Sequence, residues 1–427
     1  MAVSVSRLRS MGLAKESVRG TEVATPTRFI NGIPPDAFTP MIEPLPSKGI
    51  EALRNLYPKI TQGPATLNGM KIKLEVEPDN IGEILQAIFG ADAYTVAGNN
   101  LIVWTGVNDA IDFNMSAVDY HCVIPQGVYS ISTIETAIAT AMNAANPNTF
   151  VVTQSSSKFV ISGTAVFVIK WSSGTNAAHN AAGLLGYNKT DSSSATSDNA
   201  QNLPGYTTGS IHVFTPQQVS QPPTYTWWFD KTLLYPLFFG AMCNKLDLML
   251  KAKAILEADT EWIGLGYDGA TGTTQASAFS KLPPFVWSNA VLNIDGLTKP
   301  GYDNLKLALS ADGKADHALN NSIYPYTSYS EGFTPDLSAD LFFEDLTQYN
   351  KFIAGTTAHV NVTLSFTFSG TVYQLIIDVP LWYYKSAPLY IPSNGPLKIP
   401  FTGLAQYSFT TGYDVQIVLV NDVTSQY

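Results

Sequence analysis

The chain has 427 residues, of which 45% are hydrophobic, 11% aromatic and only 14% charged, and its net charge is −10. This length allows two or three domains with a substantial core, and the charge falls well short of the roughly 25% usual in soluble domains. Low charge with many aromatics suits a subunit that hides its exterior against neighbours, although a large all-β protein with an aromatic core has the same composition. The negative balance excludes a general binder that neutralises DNA phosphates. Two distant cysteines, Cys122 and Cys243, exclude a disulfide framework and a cysteine metal cluster.

The first 60 residues contain Pro26, Pro34, Pro35, Pro40, Pro44, Pro46 and Pro58 and read as an extended arm without regular elements. Its first half is basic. Arg7, Arg9, Lys15 and Arg19 are candidates for an arm that bridges copies of the chain head to tail on an acidic body, with a solvated terminus as the equal alternative. Alternation over 70–76 predicts a strand. Asn80 then opens a helical pattern, with Glu83 as its capping partner and Gly90 as its stop.

Residues 99–207 differ in character and carry only three basic and six acidic side chains. Short strands are predicted at 101–104, 110–115, 120–124, 150–153, 158–162 and 166–171. Ser132 and Glu135 are placed to cap a helix whose apolar face is Ile134, Ile138, Ala141 and Met142, and a small helix is predicted at 176–185. The polar stretch 190–202 reads as a linker. Together these pieces predict a compact α/β unit.

From 208 onward strands dominate. Leu246, Leu248 and Leu250 alternate with Lys245, Asp247 and Lys251, and Val360, Val362 and Leu364 alternate with Asn361, Thr363 and Ser365. Such period-two patterning gives strands with one buried and one polar face. Ser369-Gly370 turns the second of these into a hairpin.

Catalytic and metal motifs are weak. Gly264, Gly266 and Gly269 fit GxGxxG, but the following residues read as a loop rather than the helix a dinucleotide site requires, so a glycine-rich hairpin tip is the better reading. His121 beside Cys122, and Asp109 with Asp112, lack the further partners that a metal or acid–base site needs. Trp227, Trp228 and Phe229 lack the positive groove of a base-stacking platform and read as packing residues. The sequence therefore predicts no enzyme, no cofactor and no metal. The N-terminus has no apolar signal core, and the longest apolar run, 232–243, is too short to cross a bilayer, so a soluble chain with no membrane partner is expected.

The order of these features resembles the major tail tube proteins of long-tailed, siphovirus-like bacteriophages. The likeness rests on the arm at 10–30, the helix at 80–90, and the approach through 212–230 to Thr226-Trp227-Trp228-Phe229. It continues through the strand from Cys243 to Gly264, Leu282-Pro283-Pro284-Phe285 before Leu292-Asn293-Ile294-Asp295-Gly296, and the helix at 342–352 before a long hairpin. The resemblance covers 1–98 and 208–427. It implies a mainly β protein: a two-sheet β-sandwich or barrel with flanking short helices and an N-terminal arm, interrupted by an inserted accessory α/β domain at 99–207 on the tube exterior.

It further implies a structural virion protein, made in the host cytoplasm, whose hexameric rings stack into a tail tube for DNA ejection. The implied partners are other copies of the chain together with tape measure, terminator and distal tail proteins, while viral DNA passes without specific binding. Asn361, Thr363, Ser365 and Thr367 are the candidate lumen-facing strand. The alternative is a receptor- or carbohydrate-binding virion protein that uses 99–207.

Overall fold

A computed structural model describes residues 10–33, 41–46, 60–146, 148–217, 221–230, 235–269, 275, 277–299, 301–388 and 396–427. The protein is mainly β, built of antiparallel strands with four α-helices among the described residues. Two strands organise the body: Leu237–Lys251, of 15 residues, and Thr371–Ser386, of 16. Both are far longer than the five or six residues usual for a strand. Each carries a bulge or register shift, between Cys243 and Lys245 in the first and opposite Ala358–Val360 in the second. At these points the inward parity switches. Ala241 and Cys243 give way to Leu246, Leu248 and Leu250; Leu375, Ile377 and Val379 give way to Trp382 and Tyr384. A bulge adds one residue and bends the strand, so a single chain segment leaves one sheet and continues in another.

The sandwich layers follow from these corners. One layer, the open sheet, runs Asn68–Glu75, Glu257–Ile263, the second half of Leu237–Lys251, Tyr302–Ser310, Thr334–Phe342, Lys398–Ala405 and the end of Thr371–Ser386. The facing layer runs Ala290–Ile294, Thr357–Phe368, the start of Thr371–Ser386, Gln416–Asn421, Ser210–Phe214 and Ala93–Thr95. Inward side chains of both layers meet in one hydrophobic core that also takes up helix Ile81–Phe89.

Residues predicted to be an irregular arm are in part structured. Strand Ser10–Lys15 pairs with Tyr225–Asp230 on one side and Arg28–Ile30 on the other, because Met11, Leu13 and Ala14 are apolar and fully buried. The prolines of Met41–Pro46 are tolerated because that strand has one described neighbour, Ile60–Thr66, and proline is confined to strands with a free edge.

Helix Ile81–Phe89 starts after Asn80 and ends at Gly90, at φ 93°, as predicted, but the expected cap is not made. Asn80 makes no side-chain cap; its Nδ2 donates to Glu77 Oε2 at 2.5 Å, and Glu83 is buried beside Thr27. The stretch 243–264 is two strands joined by a turn at 252–256 that holds Lys253 at φ 67°. Ser369 and Gly370, at φ 50° and 85°, close the predicted hairpin with the positive dihedrals its twist favours.

Residues between Asn100 and Thr207 build a separate sheet, Val118–Val123, Ala110–Met115, Lys158–Ile169 and Phe150–Ser155, with Ala195–Asn199 paired to Lys158–Ile169. Helix Ile131–Ala145 packs on it through Ile134, Ile138 and Met142. The cap is Ser130, two residues earlier than predicted, whose hydroxyl accepts from Thr133 N. The predicted linker 190–202 instead contains strand Ala195–Asn199, and Asp191 receives the backbone N–H groups of Ser172 and Ser173. Asn100 and Thr207 exchange two backbone hydrogen bonds, 3.2 and 2.7 Å, where the chain enters and leaves this unit.

Candidate assembly surfaces

The outer side of the facing layer is covered from within the same chain. Ile102 and Trp104 of the 100–207 unit pack on Ile211, Ile376, Val418 and Val420. Beside this apolar strip lies a polar network. His359 Nε2 meets Asp378 Oδ1 at 2.8 Å, Asn361 Nδ2 donates to the same oxygen at 3.0 Å, and the Tyr413 hydroxyl donates to Asp378 Oδ2 at 2.8 Å. Gln126, from the other unit, reaches both Tyr413 and Gln416. Burial works against a charge on His359, yet its pairing with Asp378 outweighs this and holds the imidazole above its ordinary pKa. Within the unit, the hydrogen bond from His179 to Asp109 likewise raises the histidine.

This packing divides the strand singled out from sequence. Asn361 is 2% exposed and hydrogen-bonded to Asp378; Thr363 and Ser365 are half-buried and Thr367 is exposed. The basic residues fare similarly. Lys15 donates to the Tyr427 carbonyl at 3.2 Å, and Arg19 binds the Ser328 carbonyl and hydroxyl at 3.0 and 2.7 Å together with the Pro222 carbonyl. Both have hydrogen-bond partners within their own protomer. Arg7 and Arg9 lie outside the described residues.

Two further surfaces are exposed among the described residues. Strand pair Met41–Pro46 and Ile60–Thr66 exposes Met41, Ile42, Leu45 and Ile60, with Met41 at 74% and Ile60 at 60%. The open sheet presents a charged outer face. There Lys73 meets Glu257 at 2.7 Å, Lys71 meets Glu261 at 3.8 Å, and Asp247 is gripped by Lys245 at 3.1 Å and Lys306 at 2.9 Å. Lys385 and Asp336 stand 3.9 Å apart, and Lys398 and Asp303 2.5 Å. Cross-strand opposite charges of this kind support the sheet locally.

The residues weighed for chemistry have structural partners. Rings of Phe238 and Phe239 occupy the space over Gly264 and Gly266, where a Cβ would lie 2.4 and 2.1 Å from them, and Gly266 begins a short strand, not a hairpin tip. Asp112 holds His121, Asn176 N and Asn176 Nδ2, while Asp109 holds Gly106 N and His179. Burial pushes the Cys122 thiol up to about 12. Trp227 is fully buried against Trp262 at 5.2 Å. Among the described residues no three His, Cys, Asp or Glu side chains are placed to hold a metal.

Sequence reasoning missed a buried knot. His212 Nδ1 meets Asp92 Oδ2 at 2.8 Å, Tyr427 N donates to the same oxygen at 3.2 Å, and Asn421 Nδ2 reaches the Tyr427 hydroxyl at 2.6 Å. A histidine inside an apolar strand was the available signal; its partners lie 120 and 215 residues away.

A two-layer antiparallel body, with one face covered by a unit of the same chain and apolar strands left without cover, defines a structural assembly subunit. The comparison with known families agrees: the phage tail tube protein family matches residues 6–410, and the chain belongs to that family. It is a structural component of the virion tail and assembles there with further tail subunits. No curated protein matches the chain.

Proposed function

We propose that copies of this chain close into six-membered rings, and that the rings stack into the hollow tail tube through which viral DNA is ejected into the host. In this reading 1–98 and 208–427 form the tube body, and 99–207 is an inserted accessory domain on the exterior. The tube would join a tape measure, terminator and distal tail protein. The observation that carries it is the strand pair Met41–Pro46 and Ile60–Thr66, whose side chains Met41, Ile42, Leu45 and Ile60 are exposed. Exposed apolar surface of this kind marks a protein interface, and in a family that builds repeating tubes the partner is the next ring.

The test is electron microscopy of the purified chain, wild type beside Met41→Asp with Ile60→Asp. Wild type is expected to form hollow filaments, and the double variant to stop at single rings. Wild-type protein that stays monomeric, or a double variant that stacks as before, would overturn this reading.

A second reading, receptor or glycan binding by the 99–207 unit, is favoured by one feature. A cleft of about 460 Å³ lies between that unit and the body, lined by Tyr94, Tyr413, Gln126, Gln416 and Gln426. Aromatic rings with planar amides suit a saccharide. Saccharide titration of wild type and Tyr94→Ala tests it, and no heat or shift with any sugar tried counts against it.

A further inference from the structure

We propose that the outer face of the open sheet is the wall of the bore, a surface against which duplex DNA slides without being held. The inference rests on the tube reading above and assigns the wall to particular strands. The sandwich has two outer faces. That of the facing layer is covered by the 100–207 unit through Ile102, Trp104 and Gln126, so this face points to the tube exterior. The opposite face, on the other side of the same core, then looks inward.

The chemistry of that face fits a passing polyanion. A protein grips duplex DNA when unspent cations displace counterions from phosphates, and arginine is the side chain best shaped to do so. All five arginines of the chain lie before residue 55, and the two described, Arg19 and Arg28, are not on the open sheet. Its lysines at 71, 73, 245, 306, 385 and 398 are each within 4.0 Å of a carboxylate of the same sheet; Lys251 stands at the rim where its strand ends. A lattice of paired charges keeps the wall hydrophilic and wet while leaving phosphates nothing to bind. Screening over about 8 Å at physiological salt confines any remaining field to the layer next to the wall.

Cysteine mapping on assembled tubes tests the assignment. Thr402→Cys and Ser338→Cys sit on the open face, and Val151→Cys sits on the accessory unit. Each is treated with a small maleimide and with a polyethylene glycol maleimide wider than the bore. In dissociated protomers both reagents are expected to label all three sites. In intact tubes the bulky reagent is expected to label only Val151→Cys, with Thr402→Cys and Ser338→Cys slowed at least about ten-fold. Asp336→Lys with Asp340→Lys is expected to make tubes retain duplex fragments at low salt and release them at high salt, following the counterion dependence of phosphate contacts.

Bulky labelling of Thr402→Cys in intact tubes at the protomer rate would overturn the assignment, as would lysine tubes with no affinity for DNA. Either outcome leaves the tube reading standing, whereas absence of wild-type tubes removes that reading itself.

Discussion

Glu77 sits buried at the mouth of helix Ile81–Phe89, and burial, reinforced by the neighbouring charge of Asp79, raises its carboxyl to about 7. The folded protein therefore binds a proton there that the unfolded chain has released above its ordinary carboxylate range. Between roughly pH 4.5 and 7 folding takes up that proton, so this group makes stability fall as pH rises. Glu77→Gln keeps an acceptor for Asn80 and removes the titration. It is expected to raise the thermal midpoint at pH 8 by a few degrees and to flatten the slope across that window, as calorimetry at several pH values will read.

Gly82 offers a steric counterpart. A Cβ there would lie 2.1 Å from the Tyr427 ring, so Gly82→Ala must unseat a tyrosine that closes the Asp92–His212 knot. A cost of about 1–3 kcal/mol is expected from such overpacking, measurable by denaturant unfolding; an unchanged midpoint would mean that Tyr427 is not held there. Neither effect was legible in the sequence, because the burial of Glu77 is a product of tertiary packing and the ring over Gly82 comes from a residue far along the chain.

Elements divide by how local their causes are. The hairpin at Ser369-Gly370 and the end of helix Ile81–Phe89 at Gly90 follow from neighbouring residues, and both were readable. At Asn80 the position is right but its side chain bonds Glu77 instead of capping, and at Ser132 a better-placed serine, Ser130, takes the cap. The segment 10–15 looked like part of a proline-broken arm, yet its apolar side chains pair with a strand more than 200 residues away. The bulges near Cys243 and Ala358 leave the period-two signal intact on each side, so a single strand is visible while its passage between layers is not.

The seam between the body and the 100–207 unit carries a prediction at this scale. Removing 101–206 uncovers Ile211, Ile376, Val418 and Val420. The trimmed protein is expected to aggregate unless Ile376→Thr and Val418→Thr are added, and then to assemble as before. Light scattering and microscopy will report both, and a trimmed protein that stays dispersed without the threonines would show that the strip is covered some other way. The pairs His359–Asp378 and His179–Asp109 lie at or near this seam, and both histidines are raised, so their contribution is complete below about pH 6.5 and fades as pH climbs through the folded values. Faster hydrogen exchange at 374–378 at pH 9 than at pH 6, beyond the intrinsic rate change, is the expected sign.

For the molecule as a whole, class and order of parts were readable because alternation, turns and composition are written along the chain. Which face looks where was not. The polar side of Thr357–Phe368 reads as a candidate channel wall because alternation tells one side of a strand from the other without saying what packs on it, and Asn361 is engaged there by the Asp378 carboxylate of the next strand. Nor does the net charge of the chain show that Glu257, Glu261 and Asp247 of the open sheet are matched by lysine across the strands.

The paired crossing at Asn100 and Thr207 brings the two ends of the intervening stretch within one hydrogen-bonded rung. To the remainder of the polypeptide such a stretch is almost a closed bracket, exchangeable for another passenger whose termini meet at the same spacing. On the tube reading proposed above, such a replacement would leave the gauge of the conduit constant.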